Sequence, residues 1–287
     1  MNNRSTMRPS AIAVVVFAVI AAIVAGYVGG RFVPRPVGST TDTMTEIVSS
    51  KRLRAGYIVF PPSVSKEPAA SDPSGHMIDA IQYIGSELDV EVELQETTWA
   101  TFAAGLQARQ FDVVVAPLFA TPSRAAAVAF TTPLYYLGMA VVVRRDETRF
   151  STLDDLNSNS IQIAVNQGGA NQKFAKQYCP SAHLTELSTP DISQVLSEVI
   201  AGRADAAIAD TWSVSRFVAE HEGAIRSLFD EPLDVTATSW AVRPEDTRLL
   251  GFLNTTIEYL HTTGKMKNFE EKYDAHWLQL RREWESD

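Results

Sequence analysis

The sequence predicts an α/β fold with a largely parallel sheet, and three observations carry that expectation. Apolar runs of strand length alternate with segments of helical period from residue 53 onward. Val113 to Ala116 is apolar and mostly β-branched throughout, as a strand covered on both faces must be. About 240 residues remain once the N-terminal segment is set aside, enough for one large or two modest domains.

The elements follow in order. Leu53 to Phe60 opens as a strand. His76 to Leu88 places Ile78, Ile81, Ile84 and Leu88 on one helical face, and Val90 to Gln95 alternates as a second strand. Trp99 to Arg109 reads as a helix, and Val113 to Ala116 as the buried strand. Thr121-Pro122 then reads as an N-cap followed by a first-turn proline. A second unit begins with the strand Ile161 to Val165. It continues through helices at 171–178 and 192–201, the strand Ala206 to Ala209, and a helix from Thr211 to Glu220. Ser239 to Arg243 and helices at 247–263 and 268–280 look like the return to the first unit, with 281–287 as a tail.

The first 36 residues belong to export. Arg4 and Arg8 precede an uncharged stretch whose apolar body, residues 11–28, approaches the ~20 residues of a bilayer-spanning helix. A cleaved signal peptide and a retained membrane anchor both fit, with Ile23-Val24-Ala25 as a possible cleavage site. No cysteine follows, which excludes a lipid anchor on a lipobox. Residues 37–50 read as a linker.

Composition narrows the partners. Residues 1–35 hold four arginines and no acid, so the remainder carries 21 basic and 34 acidic side chains, a net charge of −13. Nucleic acid is excluded as a natural partner by that balance. Cys179 is the single cysteine and cannot form an internal disulfide, and it does not share a helical face with His183 across Pro180. The five histidines are scattered, so no metal motif appears and no cofactor is expected.

Two motifs carry chemistry. In Phe111-Asp-Val-Val-Val-Ala-Pro-Leu-Phe-Ala-Thr-Pro-Ser-Arg124, Thr121 and Arg124 sit just past a buried strand and at the start of a helix. Backbone N–H groups, the helix dipole and a guanidinium there favour an anion. An arginine in a first helical turn is otherwise a solvated surface residue. In Val165-Asn-Gln-Gly-Gly-Ala-Asn-Gln-Lys-Phe174, two glycines between strand and helix let backbone amides approach a ligand. Asp210, just beyond the carboxyl end of a strand, lies where open α/β sheets bind ligands, and equally reads as the N-cap of the helix that follows.

These residues resemble the family 3 solute-binding proteins, the polar amino-acid receptors of ABC importers, over roughly residues 50 to 278. Phe130-Thr-Thr-Pro-Leu-Tyr135 matches the family's Phe-(Ser/Thr)-x-Pro-Tyr segment with one residue inserted. The resemblance implies a two-lobed, type II periplasmic-binding-protein fold with ligand in the interlobe cleft. Residues 51–139 and 239–280 would form lobe 1 and residues 140–238 lobe 2. It implies that Arg124 and Thr121 hold a ligand carboxylate, that Asp210 pairs with its ammonium, and that Phe60 covers it. Gly169, Asn171 and Gln172 would complete the site from the loop, and Trp99 is a further wall or a core residue. It also implies an ABC importer permease as partner and an extracytoplasmic location. Departures exist: Pro117 and Phe119 replace a glycine and a serine, and Ala170 replaces a hydroxyl residue, which points to a more apolar ligand.

The glycine loop also resembles the cyclohexadienyl dehydratase branch of the same fold, which acts on prephenate and arogenate. That branch carries a glutamate as proton donor and acceptor where this chain has Gln172, and a primary amide cannot shuttle a proton. The expectation is therefore a binding protein for an amino acid or related small carboxylate, not an enzyme. A dehydratase-like lyase and a tethered ligand sensor are the alternatives.

Overall fold

The computed structural model describes residues 42–67 and 72–275, one compact unit. The expected anchor at residues 11–28 lies outside the described residues. Among those described, no helix is long and apolar enough to cross a membrane.

Asp42 caps a helix, α1 (Thr43–Ser50), which buries Thr43, Met44 and Ile47. This corrects the expected linker at 37–50: apolar residues three apart and a capping aspartate make its last eight residues helical and part of the core. Thr43 donates to Asp246 at 2.6 Å, and Arg243 joins Asp246 to Asp112 inside the same buried network.

The strands are β1 (Arg52–Tyr57), β2 (Glu91–Glu96), β3 (Val113–Phe119), β4 (Ala129–Phe130) and β5 (Tyr135–Arg144), then β6 (Gln162–Asn166), β7 (His183–Leu187), β8 (Ala206–Asp210), β9 (Ile225–Ser227) and β10 (Leu233–Val242). They form one sheet in the order β2-β1-β3-β10-β5-β8-β6-β7, with β4 on β10 and β9 on β5. The pairs β1–β2, β1–β3, β6–β7 and β6–β8 are parallel; β5 and β10 run antiparallel to their neighbours. The fold is thus mixed α/β and two-lobed. β5 leaves β10 for β8 at Met139, and β10 leaves β5 for β3 at Thr238, so these two long strands run from one lobe into the other.

Helix α2 (His76–Leu88) spans the residues its periodicity predicts and buries Ile78, Ile81 and Ile84. Helix α3 (Phe102–Gln107) starts later than expected, leaving Trp99 in the preceding turn instead of on the helix. The remaining helices are α4 (Pro122–Ala125), α5 (Leu153–Leu156), α6 (Ala170–Tyr178), α7 (Ile192–Ile200), α8 (Thr211–Glu220), α9 (Thr247–Thr262) and α10 (Lys265–Lys272). The last begins after Gly264, earlier than the expected start at residue 268, and ends at Lys272; residues 276–280 of the expected helix lie outside the described residues. Every residue of β3 is buried, as its uninterrupted apolar run requires.

Candidate ligand cleft

The carboxyl ends of β3, β6 and β8 converge on one narrow cleft that opens to solvent. That is the position at which α/β sheets present ligand-binding groups. Phe60, Trp99, Pro117, Phe119 and Arg124 line it from one lobe. Asn166, Gly169, Ala170, Asn171, Ile192 and Asp210 line it from the other, and Met139 lies at the strand exchange.

Arg124 occupies the short helix α4. Its guanidinium donates to the carbonyls of Phe119 at 3.3 Å and of Gly168 at 3.2 Å, and lies 5.5 Å from the centre of the Phe102 ring. Among the described residues it has no carboxylate partner. Burial pulls its pKa down to about 10, so the cation sits in a site that stabilises it poorly. Asp210 is 5 % exposed. Burial raises its pKa, opposed by the backbone N–H of Ser213, which donates to it at 2.9 Å. Asp210 is therefore the N-cap of α8 and a cleft residue at once. Arg124 and Asp210 form no ion pair with each other.

The loop between β6 and α6 is held from within. Asn166 donates to the Thr189 carbonyl at 2.7 Å and accepts from Asn171 at 3.2 Å, while Asn171 also donates to the Ile208 carbonyl at 2.8 Å. Gly168 has φ +74°, and a Cβ there would lie 2.6 Å from the Cα of Ala100 across the cleft. Only glycine fits both the dihedral and the approach. The lobes meet directly elsewhere too: Lys173 donates to Ser123 at 2.8 Å and the Trp212 indole to the Pro61 carbonyl at 3.3 Å.

Two expected site residues stand apart from this cleft. Thr121 shares a 3.2 Å hydrogen bond with Ser123 and lines a neighbouring recess with Lys173, Gln177 and Asp234. Its side chain does not cap α4. Gln172 turns its carbonyl to the Gly168 N–H at 2.9 Å, and with Lys176 it holds the Glu186 carboxyl below its ordinary range. The other seven expected residues, Arg124, Asp210, Phe60, Phe119, Trp99, Gly169 and Asn171, line the cleft together. Asn166, Met139 and Ile192 were not anticipated. Asn166 ends a buried strand just as Asp210 does, and that signal was available in the sequence.

The model of the bacterial extracellular solute-binding proteins, family 3, matches residues 53–276. The chain belongs to that family. It is 28 % identical over 195 residues to a probable amino-acid ABC transporter-binding protein of Haemophilus influenzae, covering 68 % of this chain and 73 % of that one. It is 21 % identical over 209 residues to the cyclohexadienyl dehydratase of Pseudomonas aeruginosa, covering 72 % and 75 %. The crystal structure of a reconstructed ancestral amino-acid-binding protein, described as a precursor of cyclohexadienyl dehydratase, superimposes with a TM-score of 0.72 at 26 % identity, covering 80 % of this chain and 99 % of the other.

Proposed function

We propose that this family 3 protein captures an amino acid or related small carboxylate outside the cytoplasm and presents it to an ABC-type permease. One observation carries the reading: an arginine without a carboxylate partner and a desolvated aspartate line the same cleft without pairing. A zwitterion supplies what each lacks, its carboxylate to Arg124 and its ammonium to Asp210. The first N–H groups of α6, behind Gly169, add donors for the carboxylate. Because the groups come from both lobes, binding favours the closed arrangement. Residues 51–139 with 239–280, and 140–238, serve as the two lobes, and residues 11–28 tether the chain to the cytoplasmic membrane.

The test is mass spectrometry of small molecules released on denaturing the purified chain, followed by calorimetry with the amino acid found. Retention of no amino acid or carboxylate, together with no heat from a panel of them, would sink the reading.

The dehydratase relative favours a second reading, lyase activity on prephenate or arogenate. Against it stands Gln172, whose amide is neither acidic nor basic enough to shuttle a proton at working pH and whose oxygen accepts from the Gly168 N–H. Product formation from prephenate, followed by absorbance for the unaltered chain, separates the two: enzymatic turnover rates would overturn the receptor reading.

A further inference from the structure

If the Arg124 and Asp210 roles hold, the rest of the cleft specifies what the ligand's side chain must be. The inference below rests on that reading.

Beyond those two charged groups the walls are Phe60, Trp99, Pro117, Phe119, Met139 and Ile192. Phe60 and Trp99 meet edge to face, with centroids 6.1 Å apart and planes at 87°. Among the described residues the other polar side-chain groups lining the cleft are two carboxamides, both engaged within the protein, and the Trp99 indole N–H, a buried neutral donor without a partner. The Asn166 amide nitrogen is bonded to Thr189 and its oxygen to Asn171; the Asn171 nitrogen serves Ile208 and its oxygen accepts from the Gln172 N–H at 3.0 Å. Pro117 has no N–H to offer, and Phe119 carries no hydroxyl. A second charge placed against these walls would find no ion-pair partner and one neutral donor at most, the Trp99 indole N–H, which is strongly unfavourable wherever the charge is desolvated. An aromatic or branched aliphatic side chain would instead gain apolar contact on every side, and an aromatic one a favourable ring geometry as well.

We infer that the cleft selects neutral amino acids with large apolar side chains, aromatic ones first, and discriminates against amino acids bearing a second charge. Trp99 and Phe119 are the residues that set this preference.

Calorimetry on the 287-residue chain, freed of retained ligand, tests it with L-phenylalanine, L-leucine, L-alanine, L-arginine and L-glutamate. Phenylalanine should bind at least ~100-fold more tightly than arginine or glutamate, with leucine between phenylalanine and alanine. Arginine or glutamate binding as tightly as phenylalanine overturns this inference alone. Absence of binding by all five overturns the receptor reading with it. Trp99→Ala should lower the phenylalanine-to-alanine affinity ratio by ~10-fold or more, and Trp99→Phe should recover most of that ratio. A ratio unmoved by Trp99→Ala would show that the indole is not the side-chain wall. A cooperative thermal melt of the variant reports that its fold is intact, and Phe119→Ser supplies an independent variant, expected to lower the same ratio.

Discussion

The two walls of the cleft differ in how their polar groups are satisfied. On the side of β6 and β8, Asn166, Asn171 and Asp210 are each bonded within their own lobe, so that wall is built before a ligand arrives. On the side of β3, Arg124 has only the Phe119 carbonyl locally and takes its second bond from Gly168 across the cleft. The second wall is finished only by closure or by ligand. A pre-built half and a half completed on contact make binding and closure one event, since the energy of satisfying Arg124 is available only when both lobes contribute.

The largest expected effect separates the walls by observable. Arg124→Ala should weaken amino-acid binding by ~2 to 5 kcal/mol, because the ligand carboxylate would be desolvated without its cation, while thermal stability barely changes. Asn171→Ala should do the reverse, lowering stability by about 1 to 3 kcal/mol by stranding Asn166 and the Ile208 carbonyl. Calorimetry beside thermal melts checks both; equal affinity losses with no difference in melting would erase the distinction.

Acid sharpens the contrast. His76, 1 % exposed in the lobe of β3, has its pKa lowered to about 4 by burial. Its ordinary value is about 6.5, so the unfolded chain takes up the proton first as pH falls. The stability this neutral histidine contributes is present above pH about 6.5 and is lost between there and pH about 4, on the order of 3 kcal/mol. Asp210 works oppositely: its raised pKa favours the folded state at low pH and costs stability as pH rises through that value. Protonating it, however, removes the partner for an ammonium, so affinity for a zwitterion should fall with acid while affinity for a carboxylate lacking the amine should not. Urea titrations of the unaltered chain and His76→Leu at pH 7 and 4.5 give the first result, and calorimetry across the same range the second. A His76→Leu chain losing as much stability to acid as the unaltered one would contradict the assignment.

Much of this was legible in the residues themselves. The β-branched run of β3, the amphipathic face of α2 and the strand-end Asp210 state their environment locally, because burial on both faces, helical periodicity and a carboxylate after a buried strand are each short-range signals. What escaped depends on longer range. Met139 and Ile192 enter the cleft only because two strands exchange lobes and α7 packs beside β8, which no window of sequence records. Thr121 and Gln172 carry the right groups for a site, yet each found a nearer partner, Ser123 and Gly168, and competition between local and ligand hydrogen bonds is invisible without coordinates. Helix α1 carries short-range signals as well, an aspartate cap followed by Met44 and Ile47, but they adjoin a proline-rich stretch whose composition is that of a linker.

Gly168→Ala probes the contact between the walls. Its φ of +74° and the 2.6 Å approach to the Cα of Ala100 leave no room for a methyl group. The expected cost is about 1 to 3 kcal/mol, expressed mainly as weaker binding, since opening the lobes relieves the clash while the dihedral strain persists. Small-angle scattering should show a larger radius of gyration for the variant without ligand. An unchanged radius and affinity would mean the loop does not meet the opposite wall in solution.

The smallest effect is the most direct measure of how far closure precedes ligand. Lys173 reaches from α6 to the Ser123 hydroxyl at 2.8 Å, joining the lobes at an exposed position. A single exposed hydrogen bond to a neutral acceptor contributes about 0.5 kcal/mol, so Lys173→Ala should shift the ratio of open to closed molecules roughly twofold. If ligand binds the closed form, apparent affinity scales with the closed fraction. The variant should then bind at most about twofold more weakly, and by nothing at all if the free protein is already almost wholly closed. Fluorescence transfer between dyes placed on the two lobes reads the free population, and calorimetry reads the affinity. The two shifts must agree in direction and size; a change in affinity without a change in population would place Lys173 in contact with ligand, and not in the closure of the lobes.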